Sequence, residues 1–123
     1  MTAKKILIAD DDPELIRMVT LELEGEGYQV ISATSGKEAL DFIYRDRPDL
    51  LILDYNMPDG DGVYVLTNLR TALETFTIPT IMLTAFESED LRREAFALSA
   101  RFLLTKPFRP GELAEKVKSI LAG

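Results

Sequence analysis

Short apolar runs alternate along this chain with stretches in which apolar residues recur every three or four positions. Each run is only a few residues long and ends at polar or turn-forming residues, which is typical of strands buried on both faces of a sheet. Five strands are predicted on this basis, at residues 4–9, 28–33, 50–53, 81–83 and 102–104.

The stretches between these runs carry the start and stop signals of helices. The first helix is predicted from Pro13, which suits a first helical turn, with Asp12 as its cap and Gly25 and Gly27 at its end. Residues 35–38, Ser-Gly-Lys-Glu, match a capping box that opens the second helix. Three more helices are indicated by Val63, Leu66, Leu69 and Leu73 after Gly62, by Ser88 with Leu91, Ala95 and Leu98, and by the stretch that begins near Pro110.

Five strands that alternate with five helices, without internal repeats or linkers, predict an α/β fold with a five-stranded parallel sheet covered on both faces. The expected strand order is 2-1-3-4-5, the flavodoxin-like order of small doubly wound sheets, and the length predicts one domain over residues 1–123. In this order the first and third strands are neighbours, so their carboxyl ends meet at the edge where such sheets bind ligands.

The amino-acid composition excludes several kinds of binding and catalytic site. The chain has 21 acidic and 14 basic residues, a net charge of −7, which has the wrong sign for binding nucleic acid by phosphate neutralisation. It contains no cysteine and no histidine, which excludes thiolate metal sites, disulfides and a Ser-His-Asp triad. Because no apolar run is as long as a membrane span and residues 1–5 lack the apolar region of a signal peptide, we expect a cytoplasmic protein without membrane contact.

The stretch LLILDYNMPDGDG, residues 50–62, places a carboxylate directly after a buried strand. Asp54 follows four apolar residues and precedes a turn rich in Pro, Gly, Asn and Asp, so it is expected at the carboxyl edge of the sheet. This position is neither a core position nor an ordinary exposed one. We interpret Asp54 as a reactive group.

Other strand ends carry polar side chains that would meet Asp54. Asp10 and Asp11 follow the first strand, and three close carboxylates require a proton or a cation, for which Mg²⁺ with its preference for oxygen ligands is the economical choice. The backbone carbonyl of Asn56 is near enough to offer one more oxygen. Thr84 and Lys106, at the ends of the fourth and fifth strands, together with the metal would bind a phosphoryl group that Asp54 accepts as an aspartyl phosphate. Taken one at a time, the acids could cap a helix and Thr84 and Lys106 could be ordinary surface residues.

The motifs resemble those of response-regulator receiver domains of the chemotaxis type, from two-component signalling, over essentially the whole chain. The matching features are LIADD at residues 7–11, LDYNMPDGDG at 53–62, MLTA at 82–85 and KPF at 106–108. Each motif is weak alone, but all four in this order are highly specific.

The resemblance implies a role for each matching residue. Asp54 would be the phosphoacceptor, and Asp11, Asp54 and the Asn56 carbonyl would bind Mg²⁺, with Asp10 acting through a water. Thr84 and Lys106 would bind the phosphoryl oxygens. The resemblance further implies a donor phosphohistidine on a histidine kinase or histidine phosphotransfer protein, and a shift of the face formed by the fourth helix, fifth strand and fifth helix that controls binding of an output partner.

The sequence departs from the receiver pattern at three places. Leu103 stands where receivers usually carry a tyrosine or another aromatic switch residue, and Phe102 cannot replace it because successive strand residues face opposite ways. We therefore expect a smaller or different conformational change on this face. Arg101-Phe102 replaces acidic residues that support dimers in a transcriptional subfamily, which disfavours that dimer. Ser99 replaces a frequent glycine, without an evident consequence at the level of sequence.

Three other functions fit the sequence less well. A haloacid-dehalogenase-like phosphatase would carry the motif Asp-x-Asp, in which the second acid protonates the leaving group. The second position here is Asn56, whose amide cannot act as a general acid, so no turnover of external substrate is expected. A flavodoxin-class flavin carrier would need a phosphate loop where this chain has three acids and Pro13. A degenerate receiver that only binds partners is disfavoured because the acids, Thr84 and Lys106 are all present. The cognate kinase, the output partner, the oligomeric state and whether the domain acts alone or within a larger regulator stay open.

Overall fold

The computed structural model describes residues 3–71 and 77–122, and within these ranges five strands alternate with five helices. The elements, in chain order, are β1 Lys5–Ala9, α1 Pro13–Gly25, β2 Gln29–Ala33, α2 Gly36–Asp46, β3 Leu50–Asp54, α3 Gly62–Arg70, β4 Thr80–Thr84, α4 Glu89–Ala97, β5 Phe102–Thr105 and α5 Glu112–Leu121. Leu73, which the sequence pattern assigns to the third helix, lies outside the described residues.

The sheet has the order β2-β1-β3-β4-β5, and every strand pair is parallel. The predicted fold class and strand order are therefore confirmed. Strand β3 is longer than predicted by one residue, because Asp54 still pairs with Leu83 of β4. The phosphoacceptor candidate is thus the last residue of a central strand rather than the first residue of a loop.

Each face of the sheet has its own apolar core. Side chains of α1 and α5 pack on one face and those of α2, α3 and α4 on the other. Strand β3 serves both, since Leu50 and Ile52 belong to the first core and Leu51 and Leu53 to the second, and all four are fully buried. Burial on both faces explains why Leu50–Leu53 is an unbroken apolar run, and it holds the strand that ends at Asp54 in place.

The predicted helix caps are present, with one difference. Asp12 accepts hydrogen bonds from the backbone of Glu14 and Leu15, and Ser88 accepts one from Leu91, as expected. Ser35 caps α2, but the carboxylate of Glu38 reaches back to the backbone N–H of Thr34 rather than to that of Ser35. Helix α5 begins at Glu112, near Pro110 as predicted, and its cap residue is Gly111, which has a left-handed conformation with φ of 84° and makes no side-chain cap hydrogen bond.

Ser99 also has a left-handed backbone, with φ of 67°, directly after Leu98, the C-cap residue of α4. The backbone N–H of Ser99 donates to Phe96, and that of Ala100 donates to Ala95, which closes the helix. Glycine is frequent at such positions because it has no Cβ. The consequence of serine at position 99 is therefore a left-handed residue that carries a Cβ atom.

None of the helices described above is both long and apolar enough to cross a bilayer.

Candidate functional site

Side chains at the carboxyl ends of β1, β3 and β5 contact one another at one edge of the sheet. The Nζ atom of Lys106, just after β5, lies 2.7 Å from Oδ2 of Asp10 and 3.3 Å from Oδ2 of Asp54. The Lys106-Pro107 peptide bond is cis. Asp10 is fully buried and Asp54 is 5% exposed, so both ion pairs are largely shielded from water.

Asp11 completes an acidic cluster with these two carboxylates. One oxygen from each of Asp10, Asp11 and Asp54 can be chosen so that all three lie within 4.8 Å of one another, while Asp11 itself is exposed. Asp10 is further fixed by the backbone N–H of Asp12, which donates to its Oδ1 at 2.9 Å. The structure thus brings together Asp10, Asp11, Asp54 and Lys106, as the sequence predicts.

The pKa of Asp54 is raised above its ordinary value. Burial is the main cause and the charge of Asp10 adds to it, while the ammonium of Lys106 and the backbone N–H of Asn56 act in the opposite direction. Burial lowers the pKa of Lys106, but the hydrogen bond and charge of Asp10, together with Asp54, outweigh burial and raise it. Both shifts show that Asp10, Asp54 and Lys106 interact strongly in a partly desolvated site.

These residues fit a hard divalent cation. The donors are all carboxylate oxygens, which Mg²⁺ prefers, and three acids against one ammonium leave an excess negative charge that a cation would offset. The backbone N–H of Asn56 donates to Oδ1 of Asp54 at 3.3 Å, which keeps Asn56 in the turn beside the cluster.

Thr84 stands at the end of β4, but its hydroxyl is engaged elsewhere. It donates to the carbonyl of Phe86 at 3.0 Å and accepts from the N–H of Phe86 at 3.1 Å, and the side chain is 1% exposed. The Thr84 carbonyl accepts from the backbone N–H of Lys106 at 2.7 Å, so the two strand ends are joined. In this state the hydroxyl is held by the loop between β4 and α4 rather than by Asp54.

Leu103 and Phe102 face opposite sides of the sheet, as the strand alternation requires. Leu103 packs against the core shared by α2, α3 and α4, whereas Phe102 packs against the core shared by α1 and α5. The ammonium of Lys116 lies 5.0 Å from the ring centroid of Phe102, which further holds that ring on the α5 side. The ring of Phe102 is therefore on the wrong face to take the place of an aromatic residue at 103.

Several contacts near the site were not predicted from the sequence. The hydroxyl of Tyr55, next to Asp54, donates to Glu94 of α4, and this hydrogen bond raises the pKa of Tyr55 to about 12. Glu87 accepts a hydrogen bond from the hydroxyl of Thr105 at 2.8 Å and pairs with Arg92. Tyr55 and Glu94 are 39 positions apart in the sequence, and Glu87 and Thr105 are 18 positions apart. No local sequence pattern predicts these two contacts.

A doubly wound parallel sheet with buried acids and a lysine at its carboxyl edge is typical of α/β domains that bind a ligand at this edge. The family model described as response regulator receiver domain matches residues 6–118. The chain belongs to this family, whose members accept a phosphoryl group in two-component signalling and bind Mg²⁺ in an acidic pocket.

Known relatives and structures agree with this membership. The chain is 39% identical to the alkaline phosphatase synthesis transcriptional regulatory protein PhoP of Bacillus subtilis, over 96% of this chain and 48% of PhoP. It is 36% identical to the phosphate regulon transcriptional regulatory protein PhoB of Pseudomonas aeruginosa, over 98% of this chain and 53% of PhoB. The chain thus spans about half the length of these relatives.

Among solved structures, the chemotaxis protein CheY4 of Vibrio cholerae superposes with a TM-score of 0.91 at 32% identity, covering 98% of this chain and all of that one. A CheY-like receiver domain protein from Methanospirillum hungatei gives a TM-score of 0.90 at 30% identity, covering 98% of this chain and 95% of that chain. The similarity extends across the whole sheet and includes the edge that carries the candidate site.

Proposed function

We propose that Asp54 is the residue of this receiver domain that accepts the phosphoryl group. One observation carries the proposal: the Asp54 carboxylate is nearly buried and lies in one cluster with Asp10, Asp11 and Lys106. A carboxylate in that position is desolvated and held in place, yet it lies at the sheet edge where a donor can reach it.

The transfer would run from a phosphohistidine of a partner protein. An oxygen of Asp54 attacks the phosphorus, a P–O bond forms, the P–N bond breaks, and the imidazole of the donor leaves with the electron pair. Asp11, Asp54 and the Asn56 carbonyl would hold Mg²⁺, with Asp10 acting through a water, and the bound ion would supply charge neutralisation. Lys106, already 3.3 Å from Oδ2 of Asp54, would offset charge on the transferred oxygens.

Thr84 would connect the modification to the rest of the domain. Its hydroxyl must leave Phe86 in order to donate to a phosphoryl oxygen, and this exchange would draw the loop between β4 and α4 toward the site. Phosphorylation adds about −1.5 to −2 charge, and a full reversal from 1:99 to 99:1 needs about 5.5 kcal/mol of preference. With Leu103 at the switch position, we propose a limited population shift of the α4-β5-α5 face that controls partner binding.

The partners in this proposal are proteins. The donor is a histidine kinase or a histidine phosphotransfer protein, and the recipient of the signal is an output protein or effector domain. A depression of about 340 Å³ lined in part by Leu15, Met18, Pro107 and Phe108 adjoins Lys106 and offers the donor an apolar contact. We further propose that residues 1–123 act as one receiver domain in the cytoplasm, without turnover of external substrates and without direct contact with nucleic acid or membrane.

The test is phosphorylation of Asp54→Asn by acetyl phosphate and by a histidine kinase, with Mg²⁺, followed by intact mass spectrometry. The variant should take up no phosphoryl group, because an amide nitrogen and oxygen cannot replace the carboxylate nucleophile. Asp59→Asn is the matched control, since Asp59 is exposed in the same loop and should be labelled normally. Labelling of Asp54→Asn at the same stoichiometry as the protein without the substitution would refute the assignment.

A further inference from the structure

The loop that follows Asp54, residues 55–61, rests on the N-terminus of α2. The backbone N–H of Gly36 donates to the carbonyl of Pro58 at 3.3 Å, and that of Lys37 donates to the carbonyl of Asp59 at 3.0 Å. The first N–H groups of a helix have no partner within the helix, so here the loop supplies their acceptors. Helix α2 thus holds the middle of the loop that carries Asn56.

Gly36 permits this contact because it has no side chain. A Cβ atom at Gly36 would lie 2.1 Å from the carbonyl oxygen and 2.6 Å from the carbonyl carbon of Gly60, both of them backbone atoms. Gly36 is also buried, so a Cβ has no open space in which to point. Alanine at this position would have to move the loop by roughly 1.3 Å to bring that 2.1 Å separation to an ordinary contact distance.

The loop has little freedom to absorb such a movement. Asp59 and Gly60 both have left-handed backbones, with φ of 50° and 98°. At the far end, the N–H of Gly62 donates to the carbonyl of Tyr55, and a Cβ on Gly62 would lie 2.6 Å from the carbonyl oxygen of Asp54. A displacement at Gly60 is therefore passed along the short segment that joins it to Asp54.

We propose that Gly36 is a positioning residue for the metal site. By allowing the backbones of α2 and the loop to touch, it sets where the Asn56 carbonyl lies relative to Asp54. Asn56 sits between two fixed points, the Asp54 carboxylate that accepts from its N–H and the Pro58 carbonyl that accepts from Gly36. The inference rests on the proposed function, in which Asp54 and the Asn56 carbonyl are Mg²⁺ ligands.

The test compares Gly36→Ala with Gly25→Ala. Gly25 is the last residue of α1, and a Cβ there would meet nothing within 4 Å, so the control makes the same chemical change without the contact. Mg²⁺ affinity is measured by calorimetry, and amide hydrogen exchange of residues 55–61 is measured without metal. We expect Gly36→Ala to bind Mg²⁺ about 10-fold more weakly and to exchange faster in this loop, as is found when residues that orient metal ligands are changed. Gly25→Ala should match the unmodified protein.

The dependence of phosphorylation on Mg²⁺ separates positioning from general damage. In Gly36→Ala the Mg²⁺ concentration for half-maximal labelling should rise about 10-fold, while labelling at saturating Mg²⁺ stays close to that of the unmodified protein. Unchanged Mg²⁺ affinity and loop exchange in Gly36→Ala, with normal labelling of Asp54, would overturn the positioning role and leave the proposed function intact. If the protein without any substitution shows no Mg²⁺-dependent labelling, both the positioning role of Gly36 and the proposed function are overturned.

A second pair of variants keeps the test decisive if Gly36→Ala does not fold. Lys37→Pro leaves Gly36 unchanged but replaces the N–H that donates to Asp59 with a ring carbon, which must push the Asp59 carbonyl away and so displaces the same loop. Lys37→Ala is its control for the lost lysine. A weaker Mg²⁺ affinity in Lys37→Pro than in Lys37→Ala supports the inference, and equal affinities overturn it.

Discussion

Replacing Lys106 by methionine should destabilise the metal-free domain by an amount that depends on pH. The change keeps most of the side-chain volume but removes the ammonium that lies 2.7 Å from Asp10 and 3.3 Å from Asp54. At an effective dielectric constant of about 20, these separations correspond to roughly 6 and 5 kcal/mol of attraction, which the burial of the ammonium partly offsets. Removal of one partner from a buried ion pair commonly costs about 3–5 kcal/mol.

Protonation of a carboxyl sets an upper limit on this cost. At pH 7, protonating a carboxyl with the ordinary pKa of 3.8 costs about 4 kcal/mol, and the variant will take up a proton rather than bear a larger penalty. The corresponding limit at pH 5 is about 1.5 kcal/mol. We therefore expect a loss of about 3–4 kcal/mol at pH 7 and of about 1.5 kcal/mol or less at pH 5.

The sign of the pH dependence follows from the raised pKa of Asp54, which loses its two interactions with Lys106 in the variant. A carboxyl whose pKa is higher in the folded than in the unfolded state favours folding below its unfolded pKa, and this contribution is lost as the pH rises through the folded pKa. The deficit of Lys106→Met should thus grow with pH from about 4 upward.

The assay is urea unfolding of both proteins with a chelator present, at several pH values between about 4.5 and 7.5, so that the difference at each pH isolates the effect of Lys106. Lys118→Met, at an exposed position on α5, is the control and should show no comparable deficit. A deficit in Lys106→Met that is independent of pH, or smaller than about 0.5 kcal/mol at pH 7, would refute the reasoning.

Two further predictions concern Asp11 and Ser99. Asp11→Asn should weaken Mg²⁺ binding about 10-fold or more in a calorimetric titration, while the metal-free stability stays within about 0.5 kcal/mol because Asp11 is exposed, and an unchanged affinity would remove Asp11 from the ligand set. Ser99→Gly should stabilise the domain by about 0.5 kcal/mol in urea unfolding, since relief of the left-handed conformation at φ of 67° exceeds the entropic cost of glycine, and a loss of stability would contradict this balance.

Much of the candidate site could be predicted because each of its residues stands at the end of a strand that the sequence pattern indicates. Asp10, Asp54, Thr84 and Lys106 each stand where an apolar run ends, and parallel strands bring such ends to one edge. What could not be predicted is which atoms pair. The resemblance to receiver domains implies that Asp10 acts on a metal through a water, and in the structure Asp10 also accepts the shorter hydrogen bond from Lys106. The position of Thr84 at a strand end predicts that its hydroxyl faces the site, whereas in the structure the hydroxyl donates to the backbone carbonyl of Phe86.

The sequence by itself determined the alternation of strands and helices, the parallel sheet and the identity of the side chains at its carboxyl edge, because periodicity and turn residues are local properties of the chain. The tertiary structure alone decided the contacts between segments far apart in sequence. Gly36 is an unremarkable residue of a capping box until the loop after β3 is seen to rest on it. Such contacts depend on how α2 and the loop pack against the same sheet, and no local pattern encodes that distance.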